Sequence, residues 1–176
     1  MSDMPSPRGV ARPITRYGDP VLHRRCVEVT SFGHDLVDLI EEMFVSMYAA
    51  EGAGLAANQI GVGLRVFVYD CPDADGIRRI GHVVNPVLHS ATELSGISTD
   101  NEGCLSVPGP RAEVPRAAIA TVTGQDRHGK PVTITGTGYF ARCLQHETEH
   151  LDGIVYVDKL PPRQRAALLA EAGLPA

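Results

Sequence analysis

The segment Gln145-His-Glu-Thr-Glu-His150 constrains the fold more than any other part of this 176-residue chain. Its two histidines, His146 and His150, are four residues apart, so on an α-helix they share one face and can reach a single metal ion. Glu147 lies beside them and can act on a water molecule held by that ion. The segment therefore predicts a helix that carries part of a metal site, and a solvated helix with two chance histidines is the alternative.

The third ligand is not evident from the motif itself, although catalytic metal sites usually take three protein ligands. Cys143 and His150 are about 10.5 Å apart along a helix axis, too far for metal bonds of about 2.0–2.3 Å. Downstream, Tyr156 stands where one class of metalloprotease has a third histidine, and Glu171 falls in a predicted tail helix. The third ligand must then come from upstream. Five residues qualify: His82, His89, His128, Cys71 and Cys104.

Cys104 differs from the other candidates in its surroundings, Glu102-Gly-Cys-Leu-Ser-Val-Pro108. Gly103 permits a close approach of the backbone, and Pro108 ends the segment. The four cysteines of the chain are scattered, and nothing marks the protein as secreted, so reduced and mostly buried thiols are expected. On residue types alone, a structural role is the more economical interpretation of Cys104.

Hydrophobic spacing predicts the secondary structure in coarse outline. Helical periodicity predicts helices over residues 34–50 and 138–150. Pro161-Pro162 and a capping Gly173 predict a third helix over residues 162–172. Short β-rich runs predict strands over residues 65–69, 82–88, 117–122 and 131–135, the last two forming a hairpin. We therefore expect an α+β fold, with antiparallel sheets packed around a central helix that carries the H-E-x-x-H motif.

Composition excludes several classes of protein. The formal charge of −5 disfavours a protein that grips nucleic acid by its phosphates. No apolar run approaches the roughly 18 residues of a membrane span, and no signal segment opens the chain, so we expect a cytoplasmic protein without membrane contact. We divide the chain into a flexible arm (residues 1–13), a catalytic domain (residues 14–160) and a C-terminal helix or tail (residues 161–176).

Three segments together resemble one family, the peptide deformylases. Gly52-Ala-Gly-Leu-Ala-Ala-Asn-Gln59 resembles its G-x-G-L-A-A-x-Q, Glu102-Gly-Cys-Leu-Ser106 matches E-G-C-L-S, and the histidine segment matches Q-H-E-x-x-H. The three occur in the family's order with similar spacing, and the resemblance extends over roughly Ile14 to Leu160. Each motif is moderately specific, whereas the three together are highly specific.

The resemblance implies a hydrolase of protein biosynthesis that acts in N-terminal methionine processing and removes the formyl group from newly synthesised polypeptides. It implies one divalent metal ion held by Cys104, His146 and His150, with Fe²⁺ expected and Zn²⁺, Ni²⁺ or Co²⁺ able to replace it. In the implied mechanism Glu147 is the general base toward a metal-activated water. The side-chain amide of Gln59 and the backbone N–H of Leu105 stabilise the oxyanion.

The resemblance also implies the residues around this centre. Glu102 is expected to support the metal site with Arg116 as its partner, because a buried carboxylate needs one. The implied substrate contacts are Gly54, Arg111, Arg142 and Cys143. Arg142 stands at a position that is often aliphatic in the family, so its stem is expected to change the shape of the methionine pocket.

Two other functions stay open at this point: an H-E-x-x-H metallopeptidase of broader specificity, and a catalytically silent metal-binding paralogue. The expected partners are N-formylmethionyl nascent peptides, with Arg163 and Arg165 of the tail as candidates for a transient ribosome contact. Two arginines form a weak electrostatic footprint, so an ordinary solvated terminal helix is the favoured interpretation of that segment.

Overall fold

A central helix and an antiparallel sheet dominate the computed structural model, which describes residues 8–90 and 95–176. Three helices of the described residues are α1 (His34–Ala49), α2 (Gly138–Leu151) and α3 (Pro162–Glu171). The strands are β1 (Gly54–Ala56), β2 (Val66–Pro72), β3 (Arg78–Ser90), β4 (Ile97–Cys104), β5 (Val107–Ala117), β6 (Ile119–Gln125) and β7 (Pro131–Thr137). The predicted α+β fold is confirmed.

The three predicted helices lie within one residue of their expected bounds. Helix α1 buries Leu36, Ile40, Met43 and Met47 along one face, because residues three or four apart lie on the same side of a helix. After α3, Gly173 has a positive φ of 70°, which a glycine adopts at little cost. Within the described residues, every helix is too short or too polar to cross a membrane.

The larger sheet is antiparallel and has the strand order β1-β2-β3-β6-β7. Successive side chains of β2 point to opposite faces. Val66 and Val68 pack in one hydrophobic cluster with α1, whereas Phe67 and Tyr69 pack in another with α2. The sheet thus separates the two helices, and α2 lies in the interior, as expected for the helix that carries the histidines.

Strands β4 and β5 form a separate two-stranded sheet that the sequence did not predict. Residues 97–101 of β4 are all exposed, so the strand lacks the alternation of apolar and polar residues that marks a half-buried strand. Its register shifts between Glu102 and Cys104, at the end of the strand. Behind β5, a third cluster that includes Val114, Tyr156 and Leu169 joins the hairpin to α3.

The described part of the predicted N-terminal arm lies along α1. Arg12 donates its backbone N–H to Ser46 Oγ at 2.9 Å, and its guanidinium pairs with Glu42. The backbone N–H of Arg8 donates to Glu41 Oε2 at 3.3 Å. Residues 1–7 of the arm lie outside the described residues.

We expect Gly153→Ala to destabilise the protein more than Gly76→Ala. Both glycines have nearly the same left-handed φ, +81° and +75°, so a side chain costs each about 1–2 kcal/mol of backbone strain. A Cβ at Gly153 would also lie 2.8 Å from backbone atoms of Arg24, whereas one at Gly76 meets nothing within 4 Å. Urea unfolding should show an extra loss of about 1–3 kcal/mol for Gly153→Ala, and equal losses would contradict this account.

Candidate metal centre and active site

Three side chains from two distant parts of the chain bring their donor atoms together. Cys104 Sγ lies 3.2 Å from His150 Nε2, which lies 3.2 Å from His146 Nε2. The three ligand atoms are within 4.8 Å of one another, and no other such trio of His, Cys, Asp or Glu exists in residues 8–90 and 95–176. The other upstream candidates for the third ligand therefore do not take part in this group.

The donor set fits one divalent cation. Tetrahedral coordination with bonds of about 2.0–2.3 Å places donor atoms about 3.3–3.8 Å apart, close to the two distances of 3.2 Å that His150 Nε2 makes to the other donors. One thiolate and two imidazoles suit zinc and iron alike. His150 is completely buried, and the backbone carbonyl of His150 accepts a 2.6 Å hydrogen bond from Asn58 Nδ2, which holds this end of the helix in place.

The sulfur of Cys104 is surrounded by N–H donors. It accepts a hydrogen bond from the backbone N–H of Ser106 at 3.4 Å, and Gln59 Nε2 lies 3.6 Å away. These contacts hold the sulfur beside the imidazole of His150. The end of β4 thus brings Cys104 into a group that could hold a metal ion, although its residue type alone favoured a structural role.

Glu102 joins His146 to Arg116 and Arg142 in a buried network. His146 Nδ1 hydrogen-bonds with Glu102 Oε1, and Arg116 donates to the two carboxylate oxygens at 2.7 and 3.1 Å. Burial by itself raises the pKa of Glu102, but the hydrogen bonds from His146 and Arg116 outweigh it, and the net shift of the pKa is downward. The anionic carboxylate therefore fixes the orientation of the His146 ring, with Arg116 as its partner.

Glu147 is buried against the β1 segment. Its side chain is 3% exposed, and Oε2 has no hydrogen-bond partner among the described residues. Burial raises its pKa to about 7, which suits a group that must take and return a proton near neutral pH. A Cβ at Gly54 would lie 2.5 Å from Glu147 Oε1 and 2.9 Å from Cys143 Sγ, so the position has room only for glycine.

The Gln59 side chain is held in one orientation. Its Oε1 accepts the backbone N–H of Ala56 at 3.0 Å, so its Nε2 faces Ser106 Oγ at 3.2 Å and the sulfur of Cys104. Leu105 follows directly in the chain, and its backbone carbonyl accepts a 2.5 Å hydrogen bond from Arg16. Fixed donors beside the metal ligands are what a developing oxyanion requires.

A cleft of about 500 Å³ opens onto this centre. Each substrate-contact residue that the resemblance implied lines it: Gly54, Arg111, Arg142 and Cys143. Arg111 is exposed, whereas Arg142 is only 5% exposed and its guanidinium hydrogen-bonds with Glu102 and two backbone carbonyls. The guanidinium of Arg142 is thus engaged inside the protein, which the resemblance did not suggest.

Sequence reasoning missed several residues around the centre. Asn58 occupies the variable position of the glycine-rich motif, and Ser106 ends the E-G-C-L-S motif. Their positions within these motifs were the only indication in the sequence that they lie near the centre. Tyr156 does not belong to the ligand trio; its ring stacks on His146 at 6.3 Å, and its hydroxyl donates to the Pro110 carbonyl at 3.2 Å. No pattern in the sequence indicated that Tyr156 stacks on His146.

Comparisons with known proteins point to one family. The model of the polypeptide deformylase family matches residues 11–166. Peptide deformylase 2 of Streptomyces coelicolor is 53% identical over 169 residues, which cover 96% of this chain and 93% of the relative.

Solved structures show the same fold. A peptide deformylase from Legionella pneumophila is similar with a TM-score of 0.84 and 41% identity, over 93% of this chain and 94% of its own. The peptide deformylase of Ehrlichia chaffeensis in complex with actinonin is similar with a TM-score of 0.86 and 30% identity, over 93% and 96% of the two chains. The chain belongs to the polypeptide deformylase family.

Proposed function

We propose that the cleft around Cys104, His146 and His150 is where this deformylase hydrolyses the N-terminal formyl group of formyl-methionyl peptides. Water and the formamide are converted to formate and a free α-amine. The observation that carries the proposal is the convergence of one thiol and two imidazoles beside a buried carboxylate, Glu147, at the base of one cleft. Family membership supplies the reaction class, and the geometry supports the assignment of its residues.

The metal centre is proposed to hold Fe²⁺, with Zn²⁺, Ni²⁺ or Co²⁺ as ions that the same donors accept. A divalent cation bound there supplies Lewis acidity, which lowers the pKa of a water molecule and polarises a carbonyl oxygen. Ligand type alone does not discriminate among these metals. Metal analysis of protein purified without oxygen, with activity measured on the same sample, tests this part of the proposal.

The proton transfers are assigned to Glu147. Its carboxylate takes a proton from the attacking water and delivers it to the amine as the C–N bond breaks. Negative charge that develops on the formyl oxygen is stabilised by Gln59 Nε2 and the backbone N–H of Leu105. The held orientation of Gln59 supports this role, because a donor that is already aligned requires little reorganisation during the reaction.

Substrate binding is proposed for the walls of the cleft. The backbone of Gly54 holds the peptide, Cys143 and the stem of Arg142 border the methionine side chain, and Arg111 lies toward the open end. The same proposal places the enzyme in the cytoplasm, on nascent chains, with residues 14–160 as its catalytic domain. A transient ribosome contact would use α3, where Arg163 is exposed.

The function is tested by comparing N-formyl-Met-Ala with a peptide that offers internal bonds but no formyl group. We expect release of formate from the first and no cleavage of the second. Cleavage of the internal bonds alone would overturn the proposal in favour of a broader metallopeptidase. No turnover of either peptide by protein that contains its metal would instead favour a silent metal-binding paralogue.

Glu147→Ala should lower kcat for N-formyl-Met-Ala by about 10²–10⁴ while the protein keeps its metal. Glu147 is not among the three ligand residues, so the loss should fall on proton transfer rather than on metal content. Metal-to-protein ratio and kcat are measured on one preparation. The exposed carboxylate variant Glu113→Gln serves as the control and should match the unmodified enzyme. Full activity of Glu147→Ala would show that Glu147 is not the general base.

Gly54→Ala should lower activity by about 10², because the new Cβ would push the Glu147 carboxylate by about 1 Å. Gly63→Ala is a matched control, since a Cβ at Gly63 meets nothing within 4 Å. Steady-state kinetics and thermal unfolding of both variants separate the effect on the active site from a loss of stability. Equal activities of the two variants would contradict the close packing of Gly54 on Glu147.

A further inference from the structure

Arg142 is a buried arginine whose guanidinium donates to three acceptors. Its Nη1 donates to Glu102 Oε2 at 3.0 Å and to the Val114 carbonyl at 2.7 Å, and its Nη2 donates to the Ser98 carbonyl at 2.9 Å. The side chain is 6% exposed. Such a planar fork can serve acceptors in several directions at once, which a lysine ammonium on a flexible stem cannot match.

The three acceptors all belong to the β4–β5 hairpin. Ser98 and Glu102 lie on β4, Val114 lies on β5, and Cys104 follows Glu102 by two residues on β4. Arg142 belongs to α2 and precedes His146 by four residues, which is about one helical turn. Arg142 therefore connects the hairpin that supplies the sulfur to the helix that supplies both imidazoles.

A second connection lies at the other end of the ligand pair. Arg116 of β5 donates to Glu149 of α2 at 2.7 Å, beside His150. Glu149 is 17% exposed, and it also pairs with the exposed Lys159 at 2.5 Å, so this connection lies nearer to solvent. The Arg142 connection is the more deeply buried of the two, and a hydrogen bond in a water-poor environment holds its partners more strongly.

Glu102 depends on both arginines. Its Oε1 is shared by His146 Nδ1 and Arg116 Nη2, and its Oε2 is shared by Arg116 Nε and Arg142 Nη1. Removal of Arg142 would leave Glu102 Oε2 with one donor, Arg116 Nε. The carbonyls of Ser98 and Val114 would each lose the hydrogen bond from Arg142. The carboxylate that orients His146 would then be held by Arg116 and His146 alone, without its link to the backbone of the hairpin through Arg142.

We propose that Arg142 is a positioning residue of the metal centre, which sets the β4–β5 hairpin against α2 so that Cys104 Sγ meets His146 and His150. It also holds Glu102 against the His146 ring. The inference rests on the proposed metal centre and adds to it a residue that does not touch the metal. Loss of a partner that orients a ligand typically weakens metal binding by about 10–100-fold, and that is the effect expected here.

The test measures Co²⁺ binding to metal-depleted protein, by chelator competition and by the sulfur-to-cobalt absorption band. Arg142→Leu should weaken Co²⁺ binding by about 10–100-fold and shift the band, and Arg142→Lys should weaken it less. Arg65→Leu is the matched control. Arg65 is equally buried and donates to Leu151 O, Pro86 O and Asp152 Oδ1, but it does not contact Glu102.

Arg65→Leu should lose stability but keep the Co²⁺ affinity and band of the unmodified protein. Wild-type affinity and an unchanged band in Arg142→Leu would overturn the proposal, as would an equal loss of affinity in Arg65→Leu. If circular dichroism shows that Arg142→Leu does not fold, Arg142→Lys decides: weaker binding supports the proposal and unchanged binding overturns it.

Failure of the metal centre itself is recognised separately. If the unmodified protein gives no sulfur-to-cobalt band, or if Cys104→Ser keeps that band, then the proposed centre is wrong, and the role of Arg142 is overturned with it. A band that disappears in Cys104→Ser and is the same in Arg142→Leu overturns the role of Arg142 alone.

Discussion

The junction between the β4–β5 hairpin and α2 is the contact on which the active site depends. The hairpin supplies Cys104, and α2 supplies His146 and His150. No single segment of the sequence contains all three residues. The junction is made by charged groups that are buried, which costs several kcal/mol for each ion unless its partners compensate. Here every charge has partners: Glu102 is shared by two arginines and a histidine, and the second arginine serves two carbonyls. These hydrogen bonds compensate for the free-energy cost of burial. They also fix the orientation of the groups, which hydrophobic residues of the same size would not do.

Close packing sets the properties of the Glu147 carboxyl group. Gly54 lies so near Glu147 that no side chain fits between the β1 segment and α2. That proximity removes water from the carboxyl group, and burial raises its pKa toward the range in which a group can both accept and donate a proton. The glycine-rich motif thus has a physical reason: its backbone lines the cleft, and the missing side chain at Gly54 leaves room for the Glu147 carboxyl group.

The sequence was sufficient where a local pattern carried the information. Apolar spacing located α1 and α2 almost to the residue, because one face of each is buried and the period of a helix is regular. The proline start and the glycine cap located α3. The sequence was not sufficient for β4, whose residues 97–101 are exposed and therefore show no alternation. The sequence also did not show which side chains of β2 face which helix. Both faces of the strand are buried, and residues 66–69 form one continuous apolar run without alternation.

The same distinction applies to the active site. The two histidines and Glu147 follow from spacing on one helix, but the third ligand required a resemblance, because its approach depends on the hairpin and on tertiary contacts. Arg142 shows the limit most clearly. A charged residue one turn before a metal ligand is expected on an exposed face or in a substrate pocket. No local pattern in the sequence indicates that its acceptors are Ser98, Glu102 and Val114.

The origin of the third ligand has a consequence for folding. In the metalloprotease pattern with a third histidine, the last ligand follows the helix closely, so the ligand set is nearly local in sequence. In this chain Tyr156 takes that position and stacks on His146, and the sulfur arrives from 42 residues upstream of that histidine. All three donors meet only when the hairpin has docked on α2. A cation that binds the trio therefore stabilises the docked state over any state in which the hairpin is detached, and metal binding and docking of the hairpin are thermodynamically linked.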